Sequence, residues 1–311
     1  MSKILVTGGA GFIGSHIVDA LVGRKHFVRV LDNFSSGKKD NLSGSINQIE
    51  LIRGDIRDKA VCRKAARSMD YIIHQAALRS VPKSLANPEA YNQVNIGGTL
   101  NLLQAAVENK IKAFVFASSS SVYGDVDKFP EREDFLPQPI SPYALTKLTG
   151  EHYCKIFSLN YKIATVALRY FNVFGPRQSL DDEYAVVIPK FIHCIFNDRP
   201  TPIYGNGRQS RDFTYVANVV SANLAALKLG NSRGQVFNVA SGRDYSVLEL
   251  AAKLNKILGK GVGPKFLPVR PGDVFRTSAD LGRSKKILKF KPRVDFPEGL
   301  KLACEYFRKI W

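Results

Sequence analysis

LVTGGAGFIG, residues 5–14, sets Gly8, Gly11 and Gly14 in a GxxGxxG frame, behind a short apolar run and ahead of an amphipathic stretch at 12–22. Glycine suits each position because the backbone must turn sharply and approach a pyrophosphate closely, while a helix N-terminus offers free N–H groups and a positive dipole end. Asp32 ends the next β-rich run, eighteen residues past Gly14. A carboxylate there accepts hydrogen bonds from ribose hydroxyls and repels a 2′-phosphate. The glycine frame alone also describes an ordinary strand–helix turn, and Asp32 alone a turn former in LDNFSSG. In this order they predict a dinucleotide site favouring NAD over NADP, with Lys38 and Lys39 as the cationic neighbours that argue the other way. Asp55, closing RGDI, is a weaker candidate for the adenine edge.

Working outward, β-rich runs at 4–7, 27–32, 49–53, 71–74, 113–117 and 165–170 alternate with amphipathic segments near 12–22, 58–67, 89–109 and 142–159. Strand–helix–strand repeats need crossovers, which give a parallel sheet with helices on both faces. The fold class is therefore α/β, a doubly wound parallel sheet over residues 1–170. Past 171 the rhythm loosens into helical patterns at 185–197, 216–229, 246–258 and 297–309, separated by turns such as PTPIYGNGRQSRD. This predicts a smaller mixed domain at 171–311, behind a soft boundary that segments can cross, laid against the strand ends where ligands of open sheets bind.

Composition excludes other classes. With 45% hydrophobic and 23% charged residues the chain is neither disordered nor collagen-like. No run approaches the ~20 apolar residues of a membrane span, and the N-terminus lacks a signal peptide's long apolar core. Cys62, Cys154, Cys194 and Cys304 are widely spaced, so reduced buried thiols and a cytoplasmic location are expected. The five histidines show no ligand spacing, so no metal is expected. Forty-five Lys+Arg against 27 Asp+Glu leave a net +18, which points to an anionic partner. RSKKILKFKPR at 283–293 carries six basic residues and raises a nucleic-acid reading, yet no nucleic-acid motif accompanies it.

Tyr143 and Lys147 in SPYALTK follow Pro142, which suits a helix's first turn, and stand one helical turn apart. An adjacent ammonium and a cationic nicotinamide favour the phenolate over a free phenol of pKa near ~10. A serine from FASSSSVYG, at the end of a neighbouring strand, shares the substrate proton. YxxxK also arises by chance on helices; the company it keeps makes this one a catalytic candidate.

TGGAGFIGSH, the AAL of HQAALRSVP, FASSSSVYGD, SPYALTK and RYFNVFGPR together resemble the extended short-chain dehydrogenase/reductases, more closely the nucleotide-sugar 4-epimerases of the NAD-dependent epimerase/dehydratase family. The resemblance spans essentially the whole chain. It implies a Rossmann NAD domain, a UDP-sugar domain, tightly held NAD and a homodimer. By matched position, Tyr143 is the base, Lys147 its activator and nicotinamide-ribose ligand, and Ser119 the catalytic serine with Ser120 beside the sugar. Gly8, Gly11, Phe12, Ile13, Gly14, Asp32, Asn33, Ser36, Gly37, Asp55, Ile56, Ala76, Ala77, Leu78 and Asn95 contact NAD. Asn172, Arg211 and Arg270 hold the diphosphate, and Asp273 the uridine ribose. Small Thr277 stands where relatives carry a bulky Tyr that restricts N-acetyl sugars, while Arg79 and Val186 replace smaller residues. The resemblance thus implies interconversion of UDP-GlcNAc with UDP-GalNAc, and of UDP-Glc with UDP-Gal. UDP-glucuronate epimerisation and a noncatalytic NAD-binding regulator are the alternatives. The acids of the 4,6-dehydratases and the Glu of the decarboxylases are serines here.

Overall fold

The computed structural model describes residues 1–180, 187–230, 232–269 and 274–311. Its centre is a seven-stranded parallel sheet of β1 (Lys3–Thr7), β2 (Phe27–Asp32), β3 (Ile49–Arg53), β4 (Tyr71–His74), β5 (Ala113–Ser119), β6 (Ala164–Tyr170) and β7 (Gln235–Val239). The spatial order is β3-β2-β1-β4-β5-β6-β7. The chain runs outward from β1 to β3, then returns to continue on β1's other edge, so the crevice between β1 and β4 is the topological switch point.

Alternation along β1 feeds the two faces. Ile4 and Val6 join Ile17 and Val18 of α1 (Phe12–Val22), with Val219 and Ala222 of the helix at Val216–Ala226 completing that side. Leu5 points the other way, to Cys62 of the helix Lys59–Ala66, Leu102 of the helix Gly98–Glu108 and Phe157 of the helix Pro142–Tyr161. Each strand is covered on both sides, which is why these runs are apolar throughout. A separate core gathers Phe191, Leu254, Phe296 and Phe307 from helices Val187–Phe196, Val247–Leu258 and Phe296–Ile310, with the Phe213 and Phe296 rings stacked 5.1 Å apart.

Three features bear on the site. The sheet's last strand, β7, comes from beyond residue 170, so a segment crosses the soft boundary there. The strand holds the buried Asn238, whose amide takes the Tyr123 hydroxyl at 2.7 Å and donates to the Glu131 carbonyl at 2.9 Å. That polar residue interrupts the apolar run. Second, β5 runs on to Ser119 and carries the serines out to the crevice. Third, 89–109 is not one regular helix: Pro88–Tyr91 and Gly98–Glu108 flank a π-helical turn at Asn92–Gly97. There the Thr99 hydroxyl donates to the Asn95 carbonyl.

Candidate active site

After β1 the chain turns at Gly8, whose φ of +67° is one L side chains rarely adopt. The Gly8 N–H donates to the Leu31 carbonyl at 2.8 Å, and the Gly11 N–H to the Gly8 carbonyl at 3.1 Å. A Cβ on Gly14 would stand 2.1 Å from the Gly8 oxygen, so only glycine lets α1 sit down on the turn. At its N-terminus, Gly11 supplies no side-chain cap and the first turn holds no acid. Those N–H groups are left for an anion.

Asp32 is 7% exposed; its carboxylate accepts the Ala10 N–H at 2.9 Å and the Phe34 N–H at 2.8 Å. Burial pushes its pKa up, against those two hydrogen bonds. The remaining lone pairs are what a ribose would use. Gly37 closes on Ala10, and Asn33 donates to Asp55 at 2.9 Å; Ser36 stays exposed at the rim. Asp55 is itself gripped by Arg57, which holds its carboxyl down at about 2. Ile56 is 5% exposed and packs where Gly98 leaves room, so its side chain is core. The glycine cradle, the open helix end and the strand-terminal carboxylate fit NAD.

The turn at 76–78 is braced from beneath. Thr99 gives its proton to Asn95, so its oxygen accepts from His74 Nε2 at 2.9 Å; Nδ1 then accepts from the Thr7 hydroxyl at 2.7 Å. Burial keeps this histidine neutral, pushed down to about 3. Asn95 is 2% exposed: its amide accepts the Leu78 N–H at 2.8 Å and donates to the Leu78 carbonyl at 2.9 Å and Thr146 at 3.0 Å. Its polar atoms hold the Ala76–Ala77–Leu78 turn from behind.

On the far wall Ser141 caps the helix Pro142–Tyr161 by accepting the Ala144 N–H. Lys147 is 5% exposed; its ammonium donates to the Ala117 carbonyl at 2.8 Å and lies 6.0 Å from the centre of the Tyr143 ring. Burial lowers it to about 7. Ser119 Oγ accepts from both the N–H and the hydroxyl of Ser121, at 3.2 and 2.9 Å, so its own proton is not used on Ser121, and Tyr143 lines the same cavity. In the chain without the nicotinamide the Tyr143 phenol is raised, because burial outweighs the influence of Ser119 and the Arg79 charge. Lys147 gives one of its three N–H bonds to Ala117.

Arg79, Ser119, Ser120, Tyr143, Lys147, Asn172, Arg211 and Thr277 all line one cavity of about 770 Å³ between the strand ends and the second core, as do Phe12 and Ile13. The Asn172 amide donates to Thr277 Oγ1 at 2.9 Å, and Arg211 donates to the Ser210 carbonyl at 2.8 Å. Val186, Arg270 and Asp273 lie outside the described residues. Gln75, Tyr170 and Lys190 also line the cavity and escaped the sequence reading. Gln75 follows β4 directly and Tyr170 ends β6, 2.9 Å apart through a hydrogen bond; position at the carboxyl end of a strand was the signal.

Comparison with known proteins agrees with this geometry. Residues 4–240 match the family model described as NAD dependent epimerase/dehydratase. A putative UDP-glucose 4-epimerase of Methanocaldococcus jannaschii is 38% identical, over 98% of either chain. The solved UDP-N-acetylglucosamine 4-epimerase of Methanobrevibacter ruminantium M1, in complex with UDP-N-acetylmuramic acid, is 42% identical with a TM-score of 0.95, covering 100% of this chain and 99% of that one. The Thermus thermophilus UDP-glucose 4-epimerase complex with NAD is 36% identical with a TM-score of 0.90, over 98% and 99%. With its glycine cradle, Asp32 and the Ser119–Tyr143–Lys147 wall in one crevice, the chain belongs to the NAD-dependent epimerase/dehydratase family.

Proposed function

We propose that this chain is an NAD-dependent UDP-hexose 4-epimerase, an isomerase, acting on UDP-GlcNAc and UDP-GalNAc and also on UDP-Glc and UDP-Gal. The observation that carries the reading is that Ser119, Tyr143 and Lys147 together line one cavity large enough for a nucleotide sugar. Tyr143 takes the proton of the sugar 4-hydroxyl through Ser119 and returns it to the same oxygen once the sugar has presented its other face. Bound NAD supplies the acceptor and donor of the C4 hydride, so the sugar passes through a 4-keto form. Lys147 holds the nicotinamide ribose from its seat on Ala117. Arg211 holds the diphosphate, since a guanidinium suits phosphate oxygens, and Asn172 stands beside it with its amide donated to Thr277 and the Asp212 carbonyl, leaving its backbone to face the phosphates. Anchoring at the nucleotide lets the sugar turn over without escaping.

Thr277 sets the width of the sugar end. Purified protein without added NAD, followed by NMR, should convert UDP-GlcNAc and UDP-Glc to their C4 epimers. Thr277→Tyr should cut the N-acetyl to plain-sugar ratio of kcat/KM by about tenfold or more, because a pocket rejects added bulk strongly. Silence on both substrates with NAD supplied would end the reading; an unmoved ratio would end the role of Thr277.

The dimer is a proposal of the same kind. Leu145, Ile156 and Leu159 lie 53%, 48% and 61% exposed along one helix, beside a groove of about 580 Å³ lined by Pro88, Ile140 and Leu145. An apolar stripe of this size on a helix favours a second copy of the chain. Light scattering should give twice the chain mass, and Leu145→Glu with Leu159→Glu should halve it. No helix among the described residues is long and apolar enough to cross a membrane. The cysteines are all free thiols, which suits the cytoplasmic location we propose.

A further inference from the structure

Glu151 follows Lys147 by one more turn, on the face that already carries Tyr143. It is 4% exposed, and Arg169 of β6 clamps it with two bonds, Nε to Oε1 at 2.9 Å and Nη2 to Oε2 at 2.7 Å. Ser118 of β5 donates its hydroxyl to the same Oε1 at 2.5 Å. The guanidinium lies 4.5 Å from the centre of the Tyr123 ring, whose hydroxyl is tied to Asn238 of β7. One helix is thus bolted to consecutive residues of β5: Lys147 to the carbonyl of Ala117, Glu151 to the hydroxyl of Ser118. The next residue is Ser119.

A buried ion pair is weak evidence for stability, because desolvating both charges offsets their attraction. A geometric role explains its cost better. We propose that Glu151, clamped by Arg169 and bonded to Ser118, is a positioning residue that sets the separation of Ser119 from Tyr143. The inference rests on Ser119 and Tyr143 as the reacting pair of the proposed epimerase.

Ser118→Ala deletes one bond and leaves the ion pair whole; Glu151→Gln keeps the shape and removes the charge. Both are assayed as NAD-loaded enzyme, with kcat, KM, bound NAD and thermal unfolding measured. Ser118→Ala should lower kcat about tenfold, since small misplacements of reacting groups are costly, with KM within about twofold. Ser119 near the Tyr143 hydroxyl opposes the burial that raises that phenol. Losing that proximity raises its pKa further, so the acid limb of the kcat profile should move to higher pH. Glu151→Gln should do the same more strongly; should it not fold, Ser118→Ala decides. An unchanged kcat, or a loss equal to the fall in folded, loaded enzyme with an unmoved acid limb, overturns the inference. A Tyr143→Phe enzyme that still turns over overturns it together with the reading beneath it. An inactive Tyr143→Phe beside an unaffected Ser118→Ala overturns it alone.

Discussion

Tyr143→Phe should lower kcat by about 10²–10⁴-fold, the range a positioned acid–base group supplies, while leaving the fold and nucleotide binding in place. Tyr143 lines the same cavity as Ser119 and lies one helical turn from Lys147. The phenylalanine ring fills the same space, against Tyr91, whose ring meets Tyr143 edge-on at 6.4 Å. No packing reason for a loss would exist, so reduced turnover at unchanged melting temperature and unchanged UDP-sugar affinity would isolate proton transfer. Turnover within about threefold of wild type would remove Tyr143 from the chemistry. That outcome would favour a noncatalytic role for the whole crevice.

Gly14→Ala should have the largest structural effect. The added methyl meets the Gly8 carbonyl oxygen at 2.1 Å and the Gly9 Cα at 2.9 Å, backbone atoms that no rotamer change can move aside. Overpacking costs about 1–3 kcal/mol where side chains can yield; here the turn itself must shift, taking the helix N-terminus away from the pyrophosphate. The variant should purify without NAD, with a melting temperature well below wild type. Gly44→Ala is the control: nothing lies within 4 Å of its Cβ position, and a change within about 0.5 kcal/mol is expected at such a surface site. NAD retained in Gly14→Ala, read from absorbance of the heat-released supernatant, would show that this turn does not shape the cofactor site.

Much of this was legible in the sequence because the requirements are local. A strand, three glycines and a helix start lie within the span of residues 3–22, and Asp32 closes the very next strand. Such features follow from backbone sterics and hydrogen-bond needs that neighbours along the chain satisfy. The same holds for Pro142 and Ser141 opening the helix that carries Tyr143 and Lys147. What stayed hidden depends on partners far away in sequence. At 235–239 the β-formers Val236, Phe237 and Val239 are interrupted by Asn238, which is recruited by Tyr123, more than a hundred residues earlier. Asn95 matched a cofactor contact by position, yet Leu78 and Thr146 claim its amide.

Sequence by itself determined that this is a doubly wound α/β chain with a dinucleotide turn, a Tyr–Lys helix and a serine-ended strand. Periodicity and turn chemistry act over a few residues and need no fold to be read. Tertiary structure alone decided how those parts are held: Lys147 donates to the Ala117 carbonyl, His74 is locked in one tautomer beneath the 76–78 turn, and Glu151 on its helix finds Arg169 on β6. Burial is the reason. A buried charge or polar group must find a partner wherever the fold brings one within reach, and the separation of those partners along the chain is written nowhere in their residue types.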